Sequence, residues 1–193
     1  MVQVPFTYLA LHKPYGVVTQ FSGEHPNLSD YISLPNVYPV GRLDKDSEGL
    51  LLLSDDGAWQ HRVSHPKFEH PKTYWVQVEG LPDEPALNHL RRGIRVQDYT
   101  TKPAEVRQLE SVNIAPRDPP IRYRASISDS WLEITIREGR NRQVRRMCAA
   151  AGYPVLRLIR VAIGPVTLEG LRAGQWRKLT RREVGRLAGN REE

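Results

Sequence analysis

Apolar and polar positions alternate cleanly in two stretches of the chain, and this pattern sets the expected fold. Lys72-Thr73-Tyr74-Trp75-Val76-Gln77-Val78-Glu79 and Trp131-Leu132-Glu133-Ile134-Thr135-Ile136 repeat with period two and are rich in aromatic and β-branched residues, so both read as strands. Phe6 to Gly16 reads as a strand ending in a Pro/Gly turn, and Val17 to Gln20 as a second short strand that could complete a hairpin. Residues 22 to 41 read as a loop around a short helical turn. The run from Leu50 to Ser54 suits a buried strand, stopped by Asp55-Asp56-Gly57. Asp56 is placed to cap a helix over Ala58 to Val63, which His65-Pro66 ends. A helix is expected over Pro85 to Arg92, closed by Gly93, and a short strand over Val106 to Leu109. Residues 111 to 130 read as a long loop. Gly139-Arg140-Asn141 turns into a helix from about Arg142 to Ala151, ended by Gly152 and Pro154. Leu156 to Val161 and Trp176 to Leu179 are later strands, and Arg181 to Leu187 is a last helix. Strands dominate without regular βαβ alternation, so the expected class is α+β with a largely antiparallel sheet. No linker divides the chain, and residues 1–193 are expected to form one catalytic domain.

Composition narrows the partners. The chain has 28 Lys and Arg against 22 acids, a net charge of +6, and the basic residues are mostly clustered arginines. Such clusters point toward a phosphate backbone. No apolar run approaches the roughly 20 residues of a membrane span. The N-terminal segment shows no secretory signal, and Cys148 is the single cysteine, which excludes an intramolecular disulfide and fits a reducing cytoplasm. His61, His65 and His70 form no helical ligand pattern supported by acids, so no metal is expected.

Four segments could carry chemistry. Gly41-Arg42-Leu43-Asp44-Lys45-Asp46-Ser47-Glu48-Gly49-Leu50-Leu51 places three acids in a loop that leads into a buried strand. Residue types alone leave open a polar turn or a catalytic carboxylate held by a rigid element. Tyr74 could be core packing or an aromatic platform for a base. In Glu138-Gly139-Arg140-Asn141-Arg142-Gln143-Val144-Arg145-Arg146-Met147, a helix would put Arg142, Arg145 and Arg146 on one face. Arg157-Leu158-Ile159-Arg160-Val161-Ala162-Ile163-Gly164 suits a core strand.

Together these strings resemble the signatures of the pseudouridine synthases of the ribosomal small-subunit and large-subunit group, and the resemblance runs from Leu11-His12-Lys13-Pro14-Tyr15-Gly16 to Trp176-Arg177-Lys178-Leu179. Pro119-Pro120-Ile121-Arg122 and Ser130-Trp131-Leu132 look most like a large-subunit branch without the N-terminal S4-type RNA-binding module, which is expected to be absent here. The resemblance implies a pseudouridine synthase fold, two subdomains around one cleft, and conversion of a uridine in ribosomal RNA, 23S rRNA above all, to pseudouridine.

It also implies site roles. Asp44 would be the catalytic carboxylate, Tyr74 would stack on the flipped uracil and assist proton transfer at its C5, and Arg145 would pair with Asp44. Leu158 would pack beneath the base, and Arg42 would act as a wedge or phosphate anchor while the base is flipped out. Arg140, Arg142, Arg146 and Arg160 would contact RNA. A guanidinium beside a carboxylate favours its ionised, nucleophilic form. No cofactor is implied, and the enzyme is expected to act as a monomer. Two other readings are an RNA-binding protein that has kept the fold without catalysis, and a nucleoside or glycoside hydrolase using Asp44 with Asp46 or Glu48.

Overall fold

The computed structural model describes residues 6–121 and 128–189. In chain order its elements are β1 (Tyr8–Lys13), β2 (Tyr38–Pro39), β3 (Glu48–Ser54), α1 (Gly57–Ser64), β4 (Lys72–Glu79), α2 (Glu84–Arg92), β5 (Arg95–Val96), β6 (Tyr99–Thr100), β7 (Glu105–Leu109), β8 (Asp129–Ile136), α3 (Gln143–Ala150), β9 (Val155–Ile163), β10 (Val166–Thr167), β11 (Trp176–Lys178) and α4 (Arg181–Leu187). Single 3-10 turns occur at Leu28–Asp30 and Pro66–Phe68. The class is α+β, and the chain divides into two compact units. The first comprises residues 1–70 and 161–193, and the second residues 71–160.

In the first unit β1 is paired antiparallel with β3 on one side and β11 on the other, in strand order β11-β1-β3. The register sets Lys13 opposite Gly49 and Leu11 opposite Leu51. Every residue of β3 is buried, which explains its unbroken Leu50-Leu51-Leu52-Leu53 run where a one-faced strand would alternate. Leu9, Leu11, Leu51 and Leu53 build the core with Val17, Leu28, Ile32, Val37 and Leu43. Asp56 caps α1 as expected, its side chain accepting from the Trp59 N–H. The expected hairpin of residues 17–20 on β1 does not form. Val18 instead bridges Asn27, and both edges of β1 are taken by β3 and β11.

In the second unit the strand order is β9-β4-β8-β7, with β4–β8 and β8–β7 antiparallel. β4 buries Tyr74, Val76 and Val78 at alternate positions, as its period-two pattern requires. These side chains pack with Leu87 and Leu90 of α2, Leu132, Ile134 and Ile136 of β8, and Val144, Met147 and Cys148 of α3. β5 and β6 form a separate two-stranded hairpin. The later part of the 111–130 loop extends past the described residues, and Arg122 lies outside them. Among the described residues no helix is long and apolar enough to cross a membrane.

Candidate active site

Asp44 sits in the last loop before β3, and backbone hydrogen bonds help to fix that loop. The Asp44 carbonyl accepts from the Ser47 N–H at 3.0 Å, closing a tight turn over Lys45 and Asp46. The Lys45 carbonyl accepts from the Gly16 N–H at 2.8 Å, and the Leu43 carbonyl from the Thr19 hydroxyl at 2.5 Å. Leu43, one residue before the carboxylate, is sunk in the core, while Ser47 and Glu48 are buried on the other side. Asp44 itself is half-buried and Arg42 is exposed. Gly41 has φ +75, a left-handed conformation that a side chain rarely adopts.

Lys13 braces the adjoining turn. Its side chain is fully buried, and its ammonium donates to the Pro14 carbonyl at 3.0 Å and the Val17 carbonyl at 2.8 Å. Buried charge is retained only where such partners satisfy it. Sequence reading missed this lysine, because lysines normally count as surface. Its one visible signal was its place in Lys13-Pro14-Tyr15-Gly16.

The second unit brings Tyr74, Leu158 and the arginine-bearing helix together. Tyr74 and Leu158 are buried in one cluster with Val144, Met147 and Cys148 of α3. Arg145 and Arg146 are half-buried on that helix. Arg142 is not part of it. Its φ of +50 and ψ of 31 place it as the left-handed residue just before Gln143, so the expected three-arginine helical face reduces to Arg145 and Arg146. The cause is a turn closed by side chain and backbone together. The Arg140 N–H donates to Gln143 Oε1 at 3.0 Å, and the Gln143 N–H to the Arg140 carbonyl at 3.2 Å. The Gln143 amide also donates to Glu138, which accepts the Lys102 N–H at 2.8 Å. Glu138 thereby ties the start of α3 to the segment after β6.

The remaining arginines of this unit have defined neighbours. The Arg140 guanidinium lies 4.2 Å from the ring centre of Tyr99. Arg146 Nη2 donates to Asn141 Oδ1 at 3.0 Å. Arg157 and Arg160 are buried on β9, and Arg157 donates to the Ala115 carbonyl at 2.9 Å. Burial pulls the Lys72 ammonium below the ordinary lysine range, and the Arg160 charge adds to this. Lys72 stands two residues before Tyr74 and was not singled out from the sequence. Cys148 is buried, which pushes its thiol up to about 12 despite the opposing charge of Arg145, so it has no thiolate chemistry at neutral pH. Among the described residues no group of three His, Cys, Asp or Glu side chains is placed to hold a metal ion.

The family model described as RNA pseudouridylate synthase matches residues 7–150, which span both units. The chain belongs to the RNA pseudouridylate synthase family. The synthase is 54% identical over 172 residues to "Ribosomal large subunit pseudouridine synthase E" of Xanthomonas campestris pv. campestris, covering 86% of this chain and 92% of that one. It is 39% identical over 184 residues to "Ribosomal large subunit pseudouridine synthase B" of Bacillus subtilis, covering 93% and 70% respectively. A solved crystal structure of a pseudouridylate synthase superposes with a TM-score of 0.80 at 34% identity, covering 95% of this chain and 74% of that one. The synthase is therefore an isomerase whose α+β fold is that of its family.

Proposed function

We propose that this synthase converts one specific uridine of ribosomal RNA, in the 23S rRNA of the large subunit, to pseudouridine. The observation that carries this is the 54% identity over 92% of the length of a relative named for the large ribosomal subunit. The clustered arginines and the net charge of +6 suit a large folded RNA. The enzyme would work in the cytoplasm as a monomer.

In this reading Asp44 is the catalytic carboxylate. The target uridine leaves its stack, at a cost of a few kcal/mol, with Arg42 as the wedge or phosphate anchor. Asp44 attacks the sugar or the base, or removes a sugar proton. The bond from C1′ to N1 breaks, the uracil turns, and C5 bonds to C1′, which releases any bond to Asp44; the C5 proton then departs with help from Tyr74 and N1 takes up a proton. Arg145 pairs with the Asp44 carboxylate and orients it. Leu158 supports the base from below. Atoms are conserved and nothing is oxidised or reduced, so the reaction itself calls for no cofactor. Arg140, Arg142, Arg146 and Arg160 hold the RNA, and each phosphate contact removed should flatten the salt dependence of binding by about 0.7 to 0.9 in log–log slope.

The test is a map of pseudouridine across ribosomal RNA in cells lacking the gene, followed by restoration with wild-type enzyme or Asp44→Ala. One 23S site should vanish, return with the wild type and stay absent with the variant. No lost site would end the ribosomal assignment, and a site restored by Asp44→Ala would end the role of Asp44. Release of free uracil by the purified enzyme would replace isomerisation with hydrolysis.

A further inference from the structure

Two of the histidines that formed no metal pattern, His61 and His65, belong to an exposed cluster in the first unit. Lys67 Nζ lies 4.8 Å and the Arg62 guanidinium 5.4 Å from the centre of the Phe68 ring. His61 and His65 sit 4.9 Å apart and meet the same ring edge-on at 6.1 and 6.3 Å. Phe68 is half-buried, while the two cations and these two histidines are exposed. The arrangement is built rather than loose. His65 caps the 3-10 turn, its Nδ1 accepting the Lys67 N–H at 3.2 Å, and Pro66 opens that turn. Among the described residues neither Arg62 nor Lys67 pairs with a carboxylate.

The position of the cluster matters as much as its content. It occupies the C-terminal end of α1, and that end adjoins the Asp44 loop within the same unit. A side-chain carbon added at Gly41 would lie 3.9 Å from Ser64 Cβ. Ser64 stands between Arg62 and His65, and Gly41 is three residues from Asp44. Unneutralised cations interleaved with rings are what an unpaired RNA strand binds, the cations tracking phosphates and the rings stacking bases.

We infer that the Phe68 cluster is an RNA contact of this synthase that grips the strand running beside the target nucleotide. Arg62 and Lys67 meet its phosphates, and Phe68 with His61 offers ring surface to a flanking base. The inference deepens the ribosomal RNA reading and rests on it for the identity of the strand.

Three variants test it: Arg62→Ala with Lys67→Ala, Phe68→Leu, and Phe68→Tyr. Each is assayed for pseudouridine formation on 23S rRNA transcripts and for binding of a single-stranded oligouridine across a salt series. The double variant should raise KM about tenfold with kcat within about twofold, and should reduce the log–log salt slope by about 1.4 on a single strand or about 1.8 on a duplex. Phe68→Leu should raise KM and the oligouridine Kd about fivefold with an unchanged slope, and Phe68→Tyr should match the wild type. Wild-type KM, Kd and slope in the double variant would overturn the inference. So would a fall of kcat and Tm together in Phe68→Leu, which would make the cluster a packing feature. A wild-type enzyme inactive on every 23S transcript would count against the ribosomal reading alone, and the oligouridine arm would still decide the role of the cluster.

Discussion

The two units hold their candidate site residues by different means. In the first, the Asp44 loop is fixed by backbone carbonyls that accept from Ser47, Gly16 and Thr19, and by a buried Lys13 that satisfies two further carbonyls. In the second, Tyr74 and Leu158 are fixed by burial in one apolar cluster with α3, the helix that carries Arg145. The contrast follows from what the proposed role of each residue would demand. A short carboxylate has little reach, so its backbone must be placed. A ring or an aliphatic side chain that supports a base needs only a well-packed bed. Substitutions at these two sets of candidate site residues should therefore fail differently, the first through activity and loop conformation, the second through stability.

The largest expected effect tests the first half of that contrast. Asp44→Asn keeps the shape of the side chain and leaves every backbone bond of the loop in place. We expect kcat to fall about 10³-fold or more, about 4 kcal/mol in transition-state terms, with the melting temperature lowered by no more than about 3 °C through loss of the carboxylate's charge. A larger loss of melting temperature would show that the carboxylate holds the loop together as well. Leu158→Ala tests the second half. Leu158 is 6% exposed within the second unit's core, so its truncation should lower stability by about 2–4 kcal/mol in a denaturant titration. A variant that lost activity with its stability intact would place Leu158 in the site without a packing role, and the contrast would break.

Gly41→Ala is the next smaller perturbation. At φ +75 the cost is backbone strain of about 1–2 kcal/mol, because the added carbon meets Ser64 Cβ at an ordinary 3.9 Å. Activity should fall more than this stability loss suggests, since the strain sits three residues from Asp44. Equal losses in both measurements would mean that the loop tolerates rotation.

Much of the fold was legible, and the exceptions share a cause. β4 has the bounds that its period-two pattern predicted, α4 has the bounds expected for the last helix, and the caps at Asp56 and Gly93 were found from single residues. Local pattern could not reveal that β1 would find its partners in β3 and β11, some 40 and 165 residues away, so residues 17–20 were assigned to a hairpin that does not form. The two-residue strands β2, β5, β6 and β10 are too short to show a period. Arg142 was placed at the start of α3, whereas the turn that the Gln143 side chain closes with Arg140 makes the helix begin one residue later. In the candidate site, the residue types were visible but ambiguous, and resemblance to a family supplied their roles. The supports could not be recognised as supports, because Lys13, Glu138 and Gln143 act through partners that only the folded chain brings near.

The smallest expected effect asks whether polar bonding matters in the first unit away from the Asp44 loop. Glu183 opens α4 in a capping box with Thr180, and it takes two donors from Arg177 at 2.9 and 2.6 Å. The Arg177 guanidinium holds its carboxyl below the ordinary glutamate value of 4.5, with the Thr180 N–H and hydroxyl adding to this against the effect of burial. A carboxyl held low in the folded state stabilises the protein above the unfolded value, and that contribution is lost as pH falls through the folded one. Glu183→Gln should therefore lower the melting temperature by about 2–4 °C at neutral pH, the scale of a helix cap worth about 1 kcal/mol in a chain of this size. The gap between variant and wild type should close as the buffer is taken below pH 4.5. Activity should hold throughout the neutral range, because the bonds at Asp44 are untouched. A gap that stayed constant into acid would assign the effect to packing, and would make the first unit more like the second than the contrast allows.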